Sequence, residues 1–164
     1  MVVFDASMAL FLFSERVGVP KDPSTGQPVD RPKERVEFCL RELERRKLKI
    51  IIPTPALSEI LVRSGAAAPE QLARISSAAA FKIVGFDQRA AVQVALMAQL
   101  PEDRPRNTTE TYAKLKYDRQ IAAIAKVEGA TAVYTDDSGL RRCAARLNIP
   151  AIGLAQLPLP PTTD

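Results

Sequence analysis

The sequence contains no histidine at all. That absence removes Ser-His-Asp triads, ribonucleases with a histidine general base, HExxH metalloproteases and most zinc sites in one step. Cysteine is scarce as well: Cys39 and Cys143 stand far apart with no CxxC spacing, which excludes a disulfide framework and a zinc motif and leaves both as buried small hydrophobes. Aromatic residues make up 5% of the chain and fall mostly in apolar runs, so recognition by base stacking has little material. No apolar run approaches the roughly 18 residues of a membrane-spanning helix. The opening "MVVFDASMALFLF" is apolar but has no basic region and carries Asp5 in its middle, so it does not read as a signal peptide, and a cytoplasmic protein is expected. Any hydrolytic chemistry must therefore rest on carboxylates, Lys, Arg, Tyr, hydroxyls or a metal.

What is present fits one soluble domain. At 164 residues, with 46% hydrophobic and 26% charged residues, the chain can build one sizeable core and is too short for two ordinary domains. A single domain over 1–157 is expected, with 158–164, from the end of "LPLPPTTD", as a tail. The 23 Lys+Arg against 19 Asp+Glu give +4, a mild bias toward polyanionic partners.

Along the chain, short β-type runs alternate with amphipathic stretches. "VVF" reads as a buried strand leading into the helix "DASMALFLFSERV", and Gly18 to Pro32 is a long Pro- and Gly-rich loop. Val36, Cys39, Leu40 and Leu43 mark one helical face, and "KIIIP" is an apolar strand. "TPALSEILVRSG" has Thr54 as N-cap, Pro55 at the first helical position and Gly65 as stop. A helix "APEQLARISSAAA", a strand "FKIVGF" and a helix capped by Asp87 follow, then the irregular "PEDRPRNTTE". A long helix from about Tyr112 to Glu128, the strand "ATAVYT", the helix "SGLRRCAARLN" and a last strand in "IPAIGL" complete the order. Such alternation is the signature of an α/β fold, a three-layer α/β/α sandwich with a mainly parallel central sheet, whose ligands bind outside the carboxyl ends of the strands.

The acids decide what that edge does. Asp5 follows "VVF" directly; taken alone, a cap for the next helix explains it. Glu59 borders the apolar face of its helix and has Arg63 one turn on, a pairing worth only a few tenths of a kcal/mol. Asp118 shares the inward stripe with Ile121, Ala122 and Ala125, where an uncompensated carboxylate costs several kcal/mol. Asp136 is the expected N-cap of the helix starting at Ser138, which leaves Asp137 over. Acids gathered at one sheet edge repel unless a cation sits among them, and carboxylates with waters are what Mg²⁺ and Mn²⁺ prefer.

Four segments in order, "VVFDAS", "PTPALSEIL", "KYDRQIAAIA" and "VYTDDSGL", resemble those of the PIN-domain ribonucleases, the group that includes the toxins of VapBC-type toxin–antitoxin pairs. The last segment stands where that family has a T-x-D-x-x-F/L element, with Thr135, Asp137 and Leu140 in register. The resemblance implies an acidic pocket with Mg²⁺ or Mn²⁺, hydrolysis of RNA, an antitoxin protein partner and a homodimer. It also implies Asp5, Glu59, Asp118 and Asp137 as catalytic metal ligands, Asp136 as a further or water-mediated one, and Ser7 and Thr135 as orienting hydroxyls. The loops at 18–32 and around "PEDRPRNTTE" are longer than in the smallest members.

An acidic pocket repels phosphate, so RNA has to be gripped beside it; Lys114, Lys116 and Arg119, Arg104 and Arg106, and Arg141 and Arg142 are the candidates. "RRK" at 45–47 reads as a solvated helix end. Two rivals stay open from sequence: a non-catalytic RNA- or partner-binding module on the same fold, and a haloacid-dehalogenase-like phosphohydrolase. "VVFDASMALF" looks like the nucleophile strand of the latter, although "YTDDSGL" lacks the Gly and the spacing of its late acidic element.

Overall fold

The structure, a computed structural model, describes residues 1–14, 17–99 and 112–161. Arg104, Arg106 and the stretch "PEDRPRNTTE" lie outside the described residues, as do 162–164 of the tail.

In the described residues five parallel strands form the centre: β1 (Val2–Phe4), β2 (Ile50–Pro53), β3 (Phe81–Val84), β4 (Val133–Tyr134) and β5 (Ala151–Ile152). Among the described residues seven α-helices surround them: α1 (Ala6–Phe13), α2 (Pro32–Arg45), α3 (Thr54–Ser64), α4 (Ala68–Ser77), α5 (Gln88–Ala98), α6 (Tyr112–Val127) and α7 (Ser138–Arg146). Every residue of β1 and β2 is buried, so both faces of the sheet are covered, which is why these strands read as unbroken apolar runs rather than alternating ones. On this evidence the chain is an α/β/α sandwich. α1 packs on α2 and α3, while α6 packs on α5, α7 and α3. Among the described residues no helix is long and apolar enough to cross a membrane.

The strand order is β3-β2-β1-β4-β5. The chain winds outward from β1 on one side and then returns to place β4 on the other, so the switch point lies between β1 and β4, where an open parallel sheet leaves its ligand crevice. Val3 pairs with Val133 and Phe4 with Tyr134, so both strands end at the same height. The Asp5 amide then donates to the Tyr134 carbonyl (3.1 Å), and the Thr135 amide to the Ile152 carbonyl (2.9 Å). Residues 130 positions apart are thereby set side by side.

Local signals held at two helix ends. Gly65 ends α3 with φ +53, a conformation that L side chains rarely adopt, and the Asp87 carboxylate accepts from the Ala90 amide (2.9 Å) as the cap of α5. Two caps differ from expectation by one residue. Pro53, the extended last residue of β2, is the N-cap of α3; Thr54 is already helical, and its hydroxyl instead accepts from the Phe86 amide (3.3 Å). Asp137, not Asp136, caps α7. Both cysteines are buried and free, and burial pushes the Cys39 thiol up to about 11, so it stays a protonated packing group.

Candidate active site

Asp5 occupies the N-cap position of α1, yet its side chain makes no capping bond to that helix. Its Oδ2 instead accepts from the Thr135 hydroxyl (3.0 Å) and the Ser7 hydroxyl (3.2 Å). Burial, and to a lesser degree the nearby negative charge of Glu59, raise the Asp5 carboxyl above its ordinary value, only partly countered by the Ala6 amide and the Thr135 and Ser7 hydroxyls. The sequence-level cap reading is thus corrected in its chemistry: the position is a cap, while the carboxylate serves the sheet edge.

Thr135 is fully buried and does two jobs, donating to Asp5 and accepting from the Asp137 amide (3.0 Å). Asp137 Oδ1 accepts from the Gly139 and Leu140 amides (2.7 and 3.1 Å), satisfying the open N-terminus of α7. Its Oδ2 pairs with Lys114 Nζ at 2.8 Å. Burial acts to raise the Asp137 carboxyl, but the Lys114 ammonium and the two backbone amides outweigh it and hold the group below the ordinary range. Asp136 takes the structural part once expected of its capping role by a different route, its Oδ1 accepting from the Leu154 amide (2.8 Å) and so fixing the chain after β5.

Asp118 sits within α6, well inside the helix rather than at its start, and is 6% exposed beside Ile121, Ala122 and Ala125, as its stripe position required. Glu59, on α3, is exposed and paired with Arg63 at 2.8 Å. Asp5, Glu59, Asp118 and Asp137 line one cleft of about 540 Å³ together with Arg63 and Lys114. Pro55, Val62, Tyr117 and Ile121 form its apolar wall. Ser7 and Asp136 line an adjoining hollow that shares Asp5, Glu59 and Asp137.

A model described as PIN domain matches residues 28–146. The chain belongs to the PIN-domain family. The match begins after Asp5 and Ser7, which the β1–β4 pairing nonetheless brings to the same edge as the matched segments. Comparison with curated proteins gave no match. Among solved structures, the PIN chain shares its fold with VapBC2 from Rickettsia felis bound to a promoter DNA fragment (TM-score 0.61, 14% identity, covering 93% of this chain and 98% of that one). DNA-bound VapBC from Salmonella typhimurium gives a TM-score of 0.58 at 17% identity, over 94% and 99% of the two chains. A toxin–antitoxin complex from Klebsiella pneumoniae gives 0.51 at 19%, over 84% and 88%. Family membership closes the haloacid-dehalogenase alternative.

Whether this PIN site suits a divalent cation can be tested on its own atoms. The donors are all carboxylate and hydroxyl oxygens, the set a small hard cation takes. Gly139 adds a steric argument: a Cβ there would lie 2.2 Å from Asp118 Oδ2, so only glycine gives that carboxylate its room. With the side chains as they lie, no group of three acids among the described residues is close enough to hold a metal. Glu59 and Asp137 are turned onto Arg63 and Lys114. The chemistry of the donor set fits such a cation.

The basic candidates divide. Lys114 lines the cleft, and Lys116 and Arg119 stand near it on α6, exposed and half-buried respectively. Arg141 is committed to the fold, donating to the Thr135 carbonyl (3.1 Å) and Gln156 Oε1 (3.3 Å), while Arg142 is exposed and does not line the cleft. Sequence reasoning missed Gly139, whose signal was a glycine inside the first turn of a helix where it costs helix stability. It also missed the apolar wall, since Val62 and Tyr117, 81% and 52% exposed, look like ordinary surface residues.

Proposed function

We propose that this PIN domain is a metal-dependent endoribonuclease, a hydrolase of RNA phosphodiester bonds, and the toxin of a type II toxin–antitoxin pair. One observation carries the reading: four acids from distant segments line a single cleft at the switch point of the sheet. A module that only bound RNA would gain nothing from burying carboxylates where phosphate must approach.

Asp5, Glu59, Asp118 and Asp137 would hold Mg²⁺ or Mn²⁺, with Asp136 as a further or water-mediated ligand. When bound, the cation supplies positive charge for the phosphoryl oxygens and an acidified water. The remaining work falls to the chain itself. Thr135 and Ser7 fix the Asp5 carboxylate by donating to it, and Thr135 holds the Asp137 backbone in place. Lys114, Lys116 and Arg119 bring positive charge to the phosphates flanking the cut bond. Arg141 and Arg142 are weaker candidates, the first because its guanidinium is spent on Thr135 and Gln156.

The residues 1–157 act as one nuclease domain in the cytoplasm. An antitoxin protein partner and a homodimer belong to the same proposal, supported by the toxin–antitoxin complexes among the structures that share the fold. The test is incubation of the purified chain with single-stranded RNA in Mn²⁺ or in excess chelator. Internal cuts in Mn²⁺ that chelator suppresses support the reading; equal cleavage in both, or none in either, sinks it.

A further inference from the structure

Asp137 has two oxygens and three partners. Oδ1 is committed to the amides of Gly139 and Leu140, which fixes the start of α7. Oδ2 is the oxygen left to the cleft, and Lys114 Nζ stands on it at 2.8 Å. Lys114 is one helical turn before Asp118 on α6, so its stem rises from the wall that carries one of the buried acids. Its side chain is 49% exposed, whereas that of Asp137 is 25% exposed and anchored by its cap bonds.

We infer that Lys114 is a positioning residue that acts through Asp137 as a built-in counter-cation: it neutralises Oδ2 in the metal-free protein and yields that oxygen when a divalent cation binds. The inference rests on the metal reading above and deepens it. It explains why four acids can share a cleft while no three of them gather. Glu59 repeats the device with Arg63, in a more exposed and therefore weaker form, its side chain being 49% and that of Arg63 62% exposed. Once displaced, the Lys114 ammonium lies beside the cleft with its charge available to a phosphate, so cation binding and substrate grip become linked through one side chain.

The test is calorimetric titration of the full chain with Mn²⁺ alone, without RNA, for the native protein, Lys114→Met and Lys114→Arg. Removing the competing charge should tighten Mn²⁺ binding roughly two- to five-fold, the range expected for a partly exposed ion pair, and Lys114→Arg should restore the native affinity. Unchanged or weaker binding by Lys114→Met overturns the role of Lys114 while leaving the metal site standing, as does a tightening that Arg fails to reverse. If neither the native chain nor Lys114→Met binds Mn²⁺, the inference falls together with the metal reading. A purely structural lysine would lower Tm on substitution without tightening the cation.

Discussion

The floor and the rim of the cleft handle the same charge in opposite ways. On the floor, Asp5 and Asp118 are 7% and 6% exposed, and Asp5 is held by neutral hydroxyls with its carboxyl raised by burial. On the rim, Glu59 and Asp137 keep contact with water and are each matched by a cation of the chain itself. Rim pairs of this kind are common on protein surfaces and say little about function. Buried carboxylates are different: a fold selected for stability alone would place an apolar residue of similar volume there. On the proposed function, the floor is where the sequence gives up stability for chemistry, and the rim is where its own cations offset the remaining charge.

That contrast can be broken by activity first. Asp5→Asn and Asp118→Asn should each lower RNA cleavage by about 100-fold or more, whereas Glu59→Gln should cost less, with circular dichroism unchanged in all three. Equal losses at floor and rim would erase the distinction. Gly139→Ala probes the floor from behind, because the added methyl meets the Asp118 carboxylate. Overpacking of this kind costs about 1–3 kcal/mol, and a melting curve together with cleavage should show a modest fall in Tm beside a larger fall in rate. A variant with native rate would mean that Asp118 can move without consequence.

The smallest effect concerns pH. In metal-free protein, Asp5→Asn should raise Tm at pH 7 by roughly 1–3 °C, since the amide keeps an acceptor for Thr135 and Ser7 without a buried charge. The sign follows from the raised carboxyl: well below the unfolded value of 3.8 both states are protonated and nothing differs, while above the folded value the native state must hold a buried anion, so stability is lost as pH rises. The advantage of Asn should therefore shrink as the pH is lowered toward 4. Asp137, whose carboxyl is depressed, works in the other direction, its contribution being lost on acidification. A Tm gain independent of pH would show that Asp5 is not the strained acid.

Much of this was legible in the sequence because it depends on local physics. β-branched runs made strands, periodic apolar residues made helices, and the position of Asp118 on an inward stripe required a buried acid wherever the helix docked. What was not legible depends on neighbours distant in the chain. The exchange of roles between Asp136 and Asp137 turns on a one-residue helix boundary and on Leu154, a partner 18 residues away. The need for glycine at 139 arises from a side chain on α6, and the occupation of Asp137 Oδ2 arises from a lysine on the same helix. None of these leaves a periodic trace.

The Thr135 hydroxyl joins the first strand to the penultimate one, and this has a consequence for synthesis. A growing polypeptide that has left the ribosome only as far as β3 carries Asp5 and Glu59 but has neither Asp118 nor the threonine clasp. If the proposed nuclease reading holds, half-made copies are chemically blunt, and the blade is assembled only when the final third of the chain docks.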